Sequence, residues 1–267
     1  SAHMDDGELG MAVANVAGRV HEMRFPDLLN EISRARAPFA DMLQDFGGLD
    51  GVRARIAEIL DVAPDTDPAA VLQSACAETA IDGAALRHAV GVLAEGSSGD
   101  SKRAGLVGDW LAGDADRRAE GFEAYALAYL TQQGEPRKQL ATKAIREKHP
   151  DVDAALRAEG DRLMAVRELL RKADLYQANS ALVRLAAELV ARYEARKAAS
   201  GRLDYDDLIA RTRALLRGDG AAAWVLFKLD GGIDHVLIDE AQDTNPEQWD
   251  VVLALVEEFF AGLGTGD

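Results

Sequence analysis

The sequence is poor in several residue types, and each shortage excludes a class of protein. It contains one cysteine, Cys76, which excludes a disulfide framework and a thiolate metal site and fits a reducing cytosol. Aromatic residues make up 6% of the chain and there are 7 prolines, low values for an all-β protein of this size. No apolar run approaches the ~18 to 20 residues that a membrane helix needs. We therefore expect a soluble, cytoplasmic protein with no membrane partner.

Positive charge is also scarce. The chain has 46 acidic and 30 basic residues and a net charge of −16. Because binding to phosphates depends on Lys and Arg, this balance excludes a protein that coats nucleic acid along its whole surface. Residues 201–267 carry 14 acidic and 5 basic side chains, a net charge of −9, against −7 for residues 1–200. The C-terminal quarter is therefore interpreted as a compositionally different piece.

Helical periodicity is what the sequence has in abundance. Apolar residues recur at three- and four-residue steps through most of the first 200 residues, which predicts a mainly α fold. Residues 152–199 are predicted to form one long helix, or two with a break near Gln177. Shorter helices are predicted over 49–60, 67–79, 83–93 and 114–130, and the Gly- and Ser-rich stretch 95–101 is predicted to be a flexible loop.

The pattern changes after Gly201. Asp204 is predicted to cap a helix by accepting a hydrogen bond from the amide of Asp207. The apolar run 233–238 is typical of a buried parallel strand. Asn245, Pro246 and Gln248 then have the order of an N-cap, a first helical residue and a capping-box partner. A strand, a turn and a capped helix in this order are typical of half of an α/β nucleotide-binding unit.

Two carboxylates follow the predicted strand. Asp239 at the carboxyl end of a strand would lie at the edge of a sheet, where it can hold the water shell of Mg²⁺ beside phosphates. Glu240 can then orient a water molecule toward the γ-phosphorus of a nucleotide. The alternative interpretation is that the pair only ends a strand, and two carboxylates alone favour that alternative. The flanking residues Ala241 to Asn245 favour the interpretation of the pair as part of a nucleotide site.

The run from Val236 to Thr244 resembles motif II of superfamily 1 DNA helicases of the UvrD/RecB type. Residues 203–209, about thirty residues earlier, resemble the acidic and aromatic segment that precedes motif II in those proteins. Within this family, Ala241 and the long Ala-rich helical region are most similar to the AddA branch of helicase-nuclease subunits.

The resemblance implies specific roles. Asp239 would support Mg²⁺, Glu240 would be the general base for water, and Gln242 would be a polar sensor near the γ-phosphate of ATP. Asp243 and Thr244 would brace the turn. ATP and Mg²⁺ would be the cofactors of the intact protein, and its partners would be duplex DNA ends, single-stranded DNA and an AddB-like subunit.

The resemblance also implies a division of the chain. Residues 5–200 would be a helical 1B-like inserted subdomain, and residues 201–267 an incomplete RecA-like 1A domain. Residues 1–4 are interpreted as the remnant of a tag. No G-x-x-x-x-G-K-[ST] pattern occurs in the sequence, so we expect a fragment of an ATP-dependent helicase with exonuclease that does not itself hydrolyse ATP. Two alternative functions remain: a non-enzymatic helical interaction module, and a UvrD-like helicase without nuclease.

One local reversal of charge occurs between Arg137 and His149. The segment contains five Lys and Arg residues and one acid, in a chain that is acidic overall. Arg137, Lys138, Lys143 and Lys148 are therefore candidates for contacts to DNA phosphates, and the resemblance implies duplex contacts by this region. A solvated helix face is the alternative.

Other polar and aromatic residues receive structural interpretations. His235 is expected to be a packed residue beside the strand. Trp110, Tyr125, Tyr129 and Tyr176 are expected in the core rather than stacked on bases. The acidic group at Asp114, Asp116 and Glu120 is predicted to be a solvated helix start rather than a nuclease metal site.

Overall fold

The computed structural model describes residues 6–217, 228 and 235–261, and these residues are mainly α-helical, as predicted. They contain no β-strand, although Leu130 and Pro136 form an isolated antiparallel bridge. No helix in this part of the chain is long and apolar enough to cross a membrane. The helices are α1 (Asp6–Ala17), α2 (Phe25–Arg34), α3 (Arg36–Asp45), α4 (Leu49–Leu60), α5 (Pro68–Cys76), α6 (Gly83–Ala94), α7 (Ser98–Leu111), α8 (Ala115–Glu120), α9 (Phe122–Ala126), α10 (Lys143–Lys148), α11 (Pro150–Ser200), α12 (Tyr205–Arg217) and α13 (Pro246–Ala261).

Helix α11 is a single helix of 51 residues, so the alternative with a break near Gln177 is wrong. It begins at Pro150, whose fixed φ suits a first helical position, and no proline follows before Pro246. It ends at Ser200, and the next residue, Gly201, has a φ of +60°. The amide of Arg202 donates to the Lys197 carbonyl and the amide of Gly201 to that of Ala198, each at 3.2 Å, which is the Schellman pattern.

The chain divides into two compact units, and the division falls within α11, between Glu188 and Leu189. The first unit contains two hydrophobic clusters. The larger cluster joins α5 to α10 with the first part of α11 and includes Leu86, Leu93, Val107 and Leu156. The smaller cluster packs α1 against residues 181–185 of α11.

The four aromatic residues expected in the core are all buried, as predicted. Trp110 stacks on Tyr125 with 3.7 Å between the ring centroids. The hydroxyl of Tyr125 donates to Oε1 of the buried Glu159 at 2.9 Å, so its polar end is also satisfied. The aromatic residues of this region therefore hold the helical core together.

The prediction of a flexible loop over 95–101 is wrong for residues 98–101, which are helical, whereas residues 95–97 are not. Helix α7 begins at Ser98, because Ser97 and Asp100 form a reciprocal capping box. The Ser97 amide donates to Asp100 Oδ2 at 3.0 Å, and the Asp100 amide donates to Ser97 Oγ at 3.3 Å. Ser97 and Asp100, two of the seven residues, therefore form the capping box that begins a helix.

The predicted helix over 114–130 is divided at Gly121 into α8 and α9. Asp114 caps α8 by accepting from the amide of Arg117 at 2.9 Å, which confirms the prediction of an acidic helix start. Asp116 accepts from the side chain of Gln73 at 2.9 Å. These acids therefore have structural partners.

The prediction of a strand over 233–238 is wrong for the part that the structure describes. Residues 235–238 have no regular secondary structure, and residues 233 and 234 lie outside the described residues. Leu237 is 95% exposed. A buried parallel strand needs neighbouring strands for its backbone hydrogen bonds, and the described residues provide none. The described residues of the predicted RecA-like portion therefore do not form a sheet.

Candidate functional site

The segment 239–244 forms a tight turn in the second unit. Glu240 has a left-handed backbone, with φ 52° and ψ 39°, and a 3-10 turn follows over Ala241–Asp243. The Glu240 amide donates to Asp239 Oδ1 at 3.0 Å. The Asp243 amide donates to the Glu240 carbonyl at 2.8 Å. The turn is therefore stabilised by hydrogen bonds within the segment, one to a side chain and one to the backbone.

The turn brings together two residues with predicted roles in ATP hydrolysis. The Gln242 side-chain amide donates to Oε2 of Glu240. Asp239, Glu240 and Gln242 are all exposed to solvent. Gln242 therefore contacts the Glu240 carboxylate within the turn, and both side chains are open to solvent.

His235 precedes this segment. It was expected to be packed beside a strand, but it is exposed. The expectation is wrong for the same reason as the strand: the described residues supply no sheet against which the imidazole could pack.

The helix after the turn begins as predicted. The Gln248 amide donates to Asn245 Oδ1 at 2.8 Å, and the Asn245 amide donates to Gln248 Oε1 at 3.0 Å. This reciprocal capping satisfies two amides and starts α13 at Pro246. The capping box therefore fixes where the carboxylate turn ends.

The acidic segment before α12 has a similar reciprocal cap. The Asp207 amide donates to Asp204 Oδ1 at 3.0 Å, as predicted, and the Asp204 amide returns a bond of 3.0 Å to Asp207 Oδ2. Tyr205, between the two acids, is 85% exposed. The acids are thus structural, whereas the aromatic ring is open to solvent.

Lys197, which the sequence analysis missed, binds this acidic cap. Its Nζ lies 2.6 Å from Asp207 Oδ1, 3.1 Å from Asp204 Oδ2 and 2.9 Å from Glu194 Oε1. Burial alone would lower the pKa of Lys197, but these three carboxylates raise it above its ordinary value. The hydrogen bond from Lys197 in turn lowers the pKa of Asp207. Asp204 and Asp207 lie seven and ten residues after Lys197, beyond the end of a helix. No recognised sequence pattern predicts contacts at these spacings.

Helices α12 and α13 pack against each other. Arg213 Nε lies 3.0 Å from Asp250 Oδ2 across this contact. A cavity of about 610 Å³ lies between them and is lined by residues of both motif-like segments, among them Tyr205, Thr244 and Gln248. The structure therefore brings residues of the segment 203–209 to the end of the carboxylate turn.

The residues described fit Mg²⁺ only as part of a larger site. They contain no group of three His, Cys, Asp or Glu side chains that could hold a metal ion. Asp239 offers a carboxylate, and Mg²⁺ is commonly bound by one or two carboxylates together with water and substrate phosphates. Asp239 therefore suits a metal that is held mainly by nucleotide and water.

Three of the four candidate basic residues, Arg137, Lys143 and Lys148, have different surroundings in the structure. Arg137 Nε donates to the carbonyls of Leu127 and Leu130, at 3.0 and 3.1 Å, just after α9. Lys143 and Lys148 both lie on α10, but five residues separate them, which places them about 140° apart around the helix axis. Lys143 pairs with Glu147 at 3.5 Å. Lys148 instead lines a cavity with residues of α6.

The UvrD/REP helicase N-terminal domain matches residues 111–264, which is more than half of the chain. The chain belongs to the UvrD/REP helicase family. The match includes the carboxylate turn, the acidic cap before α12 and the basic segment 137–149. It begins at Leu111, so α1 to α6 lie outside it.

A relative within the wider UvrD/RecB group is the RecBCD enzyme subunit RecB of Mycolicibacterium smegmatis. The chain is 38% identical to it over 98 residues, which are 36% of the chain and 8% of the relative. The matched part is therefore a small share of that protein. No solved structure gives a significant match to the chain.

Proposed function

We propose that this chain is part of an ATP-dependent superfamily 1 DNA helicase and that residues 239–244 are its motif II. The observation that carries the proposal is the family match over residues 111–264, which contains this turn. The contact between Gln242 and Glu240 supports it, since motif II needs an oriented carboxylate. The proposed division keeps residues 5–200 as a 1B-like insertion and residues 201–267 as a part of the 1A domain.

Each residue of the turn has a proposed role. Glu240 accepts the proton of the attacking water, and Gln242 orients its carboxylate and responds to the γ-phosphate. Asp239 holds the water shell of Mg²⁺. The metal ion would neutralise charge on the phosphates during transfer.

The chain has no glycine-rich phosphate loop with its lysine, so ATP would need that loop from another part of the intact protein. The carboxylates of the turn carry negative charge and do not attract a triphosphate by themselves. We therefore propose that the chain alone does not hydrolyse ATP.

A finer proposal concerns the branch of the family. The run Asp239 to Thr244 with Ala241 is most similar to the AddA branch, and the matched relative is named as a subunit of a larger enzyme. We infer a helicase-nuclease subunit that acts on double-strand DNA ends with an AddB-like partner. Degradation of linear but not circular duplex DNA by the intact complex would support the helicase-nuclease proposal. Helicase activity without any nuclease activity would favour the alternative of a UvrD-like helicase without nuclease.

DNA contact is proposed for the exposed basic residues of the 137–149 segment. Lys138, Lys143 and Lys148 are exposed. Arg137 donates to backbone carbonyls through its Nε, and its two Nη atoms lie farther along the side chain. In a chain of net charge −16, such a segment is a suitable place for contact with phosphates.

The test of motif II is Glu240→Gln in an intact helicase that contains this chain. The substitution removes the general base but keeps the size and polarity of the side chain. We expect ATP binding to stay nearly unchanged and turnover to fall by about 10² to 10⁴-fold.

Glu247→Gln is the matched control, since it makes the same change of charge in the first turn of α13. We expect it to leave turnover within about twofold of the unmodified enzyme. A Glu240→Gln enzyme that keeps more than a tenth of the normal turnover would show that Glu240 is not the base.

A further inference from the structure

The segment 203–209 lies at the start of α12, and the roles proposed for residues 239–244 leave it without a function. Its acids are engaged in structure, since Asp204 and Asp207 exchange amide hydrogen bonds and both bind Lys197 Nζ. These carboxylates are therefore held at the helix start rather than presented to a metal ion or a nucleotide. What α12 contributes is its packing against α13, the helix that follows the carboxylate turn.

Helix α13 begins where the carboxylate turn ends. The turn closes at Thr244, and the reciprocal cap of Asn245 and Gln248 starts the helix directly after it. Asn245 alone therefore separates the turn from Pro246, the first helical residue. Because a helix moves as a rigid element, a rotation or shift of α13 carries the backbone of the turn with it.

The apolar contact between α12 and α13 is incomplete. A cavity of about 610 Å³ lies between the two helices, and its apolar lining consists of Leu208, Ile209, Val251 and Val252. Leu208 and, on α13, Leu253 are about half exposed, at 49% and 48%. Close packing is what fixes neighbouring helices against each other, so an incomplete contact leaves their relative orientation less restrained.

An ion pair crosses this contact. Arg213, in the third turn of α12, places its Nε 3.0 Å from Oδ2 of Asp250, in the second turn of α13. Both side chains are partly buried, with exposed fractions of 37% and 29%. The guanidinium group is a planar, rigid fork, so its attraction to a carboxylate has a preferred orientation. The pair therefore restrains the rotation of α13 relative to α12.

Such a pair contributes more to orientation than to stability. Ion pairs with about a third of each side chain exposed add little to the free energy of unfolding, because water screens them. The same attraction can shift an equilibrium between two helix orientations by up to about fivefold. Catalysis is sensitive to such shifts, because a general base displaced by about 1 Å loses much of its effect.

We propose that Arg213 and Asp250 are positioning residues for Glu240. The inference rests on the proposed function, since it takes Glu240 as the general base. Arg213 holds α13 through Asp250, and α13 holds the carboxylate turn. The segment 203–209 anchors α12 through Lys197, so it supports the base from a distance. In this assignment neither member of the pair contacts the nucleotide.

The test measures single-turnover ATP hydrolysis, at saturating DNA, by an intact helicase that contains this chain. The variants are Arg213→Gln and Asp250→Asn. We expect each to lower the rate at saturating ATP about three- to fivefold, because the base occupies its productive position less often. The ATP concentration that gives half the maximal rate should stay within about twofold, since the phosphate loop that would hold the triphosphate lies outside this chain.

The charge-exchanged variant Arg213→Asp/Asp250→Arg separates the action of this pair from other effects of the substitutions. It keeps one long cationic and one short anionic side chain across the same contact, so their summed reach is unchanged. We expect it to restore hydrolysis to within about twofold of the unmodified enzyme. The double neutral variant Arg213→Gln/Asp250→Asn should lose no more than either single variant, because all three lose the same interaction.

Arg211→Gln is the matched control. Arg211 is exposed on the same helix, two residues before Arg213, and the substitution makes the same change of charge. We expect it to leave the rate within about 1.5-fold. Urea unfolding of the 267-residue chain should give similar midpoints for Arg211→Gln and Arg213→Gln, because a partly exposed ion pair adds little stability.

The outcomes separate the inference from the proposed function. If Glu240→Gln strongly lowers hydrolysis but the variants of Arg213 and Asp250 hydrolyse ATP at the unmodified rate, the inference fails and motif II stands. If Glu240→Gln hydrolyses ATP normally, the proposed function fails and the inference fails with it. A lowered rate that the charge-exchanged variant does not restore, or single variants that do not fold, would make the pair merely structural and overturn the inference.

Discussion

The ammonium group of Lys197 lies 2.6 Å from Oδ1 of Asp207, and this contact joins the last turn of α11 to the first turn of α12. Asp207 also accepts from the Asp204 amide through its other oxygen, at 3.0 Å. One carboxylate thus caps α12 and binds the end of α11. The pair therefore connects the two helices.

Lys197→Met should destabilise the second unit. The substitution keeps most of the aliphatic stem but leaves Asp204 and Asp207 without their shared cation, so two like charges face each other. We expect the free energy of unfolding to fall by about 2 kcal/mol, the usual range for hydrogen bonds to charged groups. Urea unfolding followed by circular dichroism measures this change.

Lys102→Met is the matched control, since Lys102 lies exposed on α7. Its effect should stay within about 0.5 kcal/mol. Equal stabilities of the two variants would show that the Lys197 contacts contribute nothing.

Local signals in the sequence were sufficient where short-range hydrogen bonds decide the structure. The caps at Asp204 and Asn245 were predicted correctly, because each depends on a residue three positions later. The same rule applied to Ser97 and Asp100, but the glycine between them favoured the interpretation as a loop. Asp100 also accepts from Thr142, 42 residues away, and this contact has no local signal.

Features that depend on distant residues could not be predicted in this way. A strand over 233–238 requires neighbours that the described residues do not supply, whatever its apolar pattern. Arg87 and Lys148 are 61 positions apart and line one cavity only because α6 and α10 share a hydrophobic cluster.

Asp100 should make stability depend on pH in the acid range. Its pKa in the folded protein lies below the value in the unfolded chain, about 3.9. Its contribution is therefore present above pH ~4 and is lost as the pH falls through the folded-state pKa. Asp100→Asn should lower the free energy of unfolding by about 1 to 3 kcal/mol at pH 7, and the difference should shrink near pH 3.

Urea unfolding at both pH values tests this expectation. Asp109→Asn provides the control, because Asp109 is exposed on α7. A difference between Asp100→Asn and the unmodified chain that stays constant from pH 7 to pH 3 would contradict the role given to the charged carboxylate.

Arg137→Ala should act mainly on stability. Its Nε donates to two carbonyls that follow α9, and their loss leaves a partly buried carbonyl at Leu130 without this donor. We expect a loss of about 1 to 3 kcal/mol, whereas Lys138→Ala, at the neighbouring exposed position, should change stability by less than about 0.5 kcal/mol. A thermal or urea unfolding series that ranks the two variants the other way would assign Arg137 to the solvated surface.

The 267-residue chain should bind ATP and Mg²⁺ no better than background, even at millimolar nucleotide. Asp239 and Glu240 offer charge for a metal and a water molecule, but the sequence contains no glycine-rich loop and lysine to hold the triphosphate. Isothermal titration calorimetry with and without Mg²⁺ measures this directly, and Glu240→Gln should give the same baseline. Saturable binding in the micromolar range would mean that the chain holds nucleotide through other residues, and the roles proposed for the 239–244 turn would then have to be reassigned.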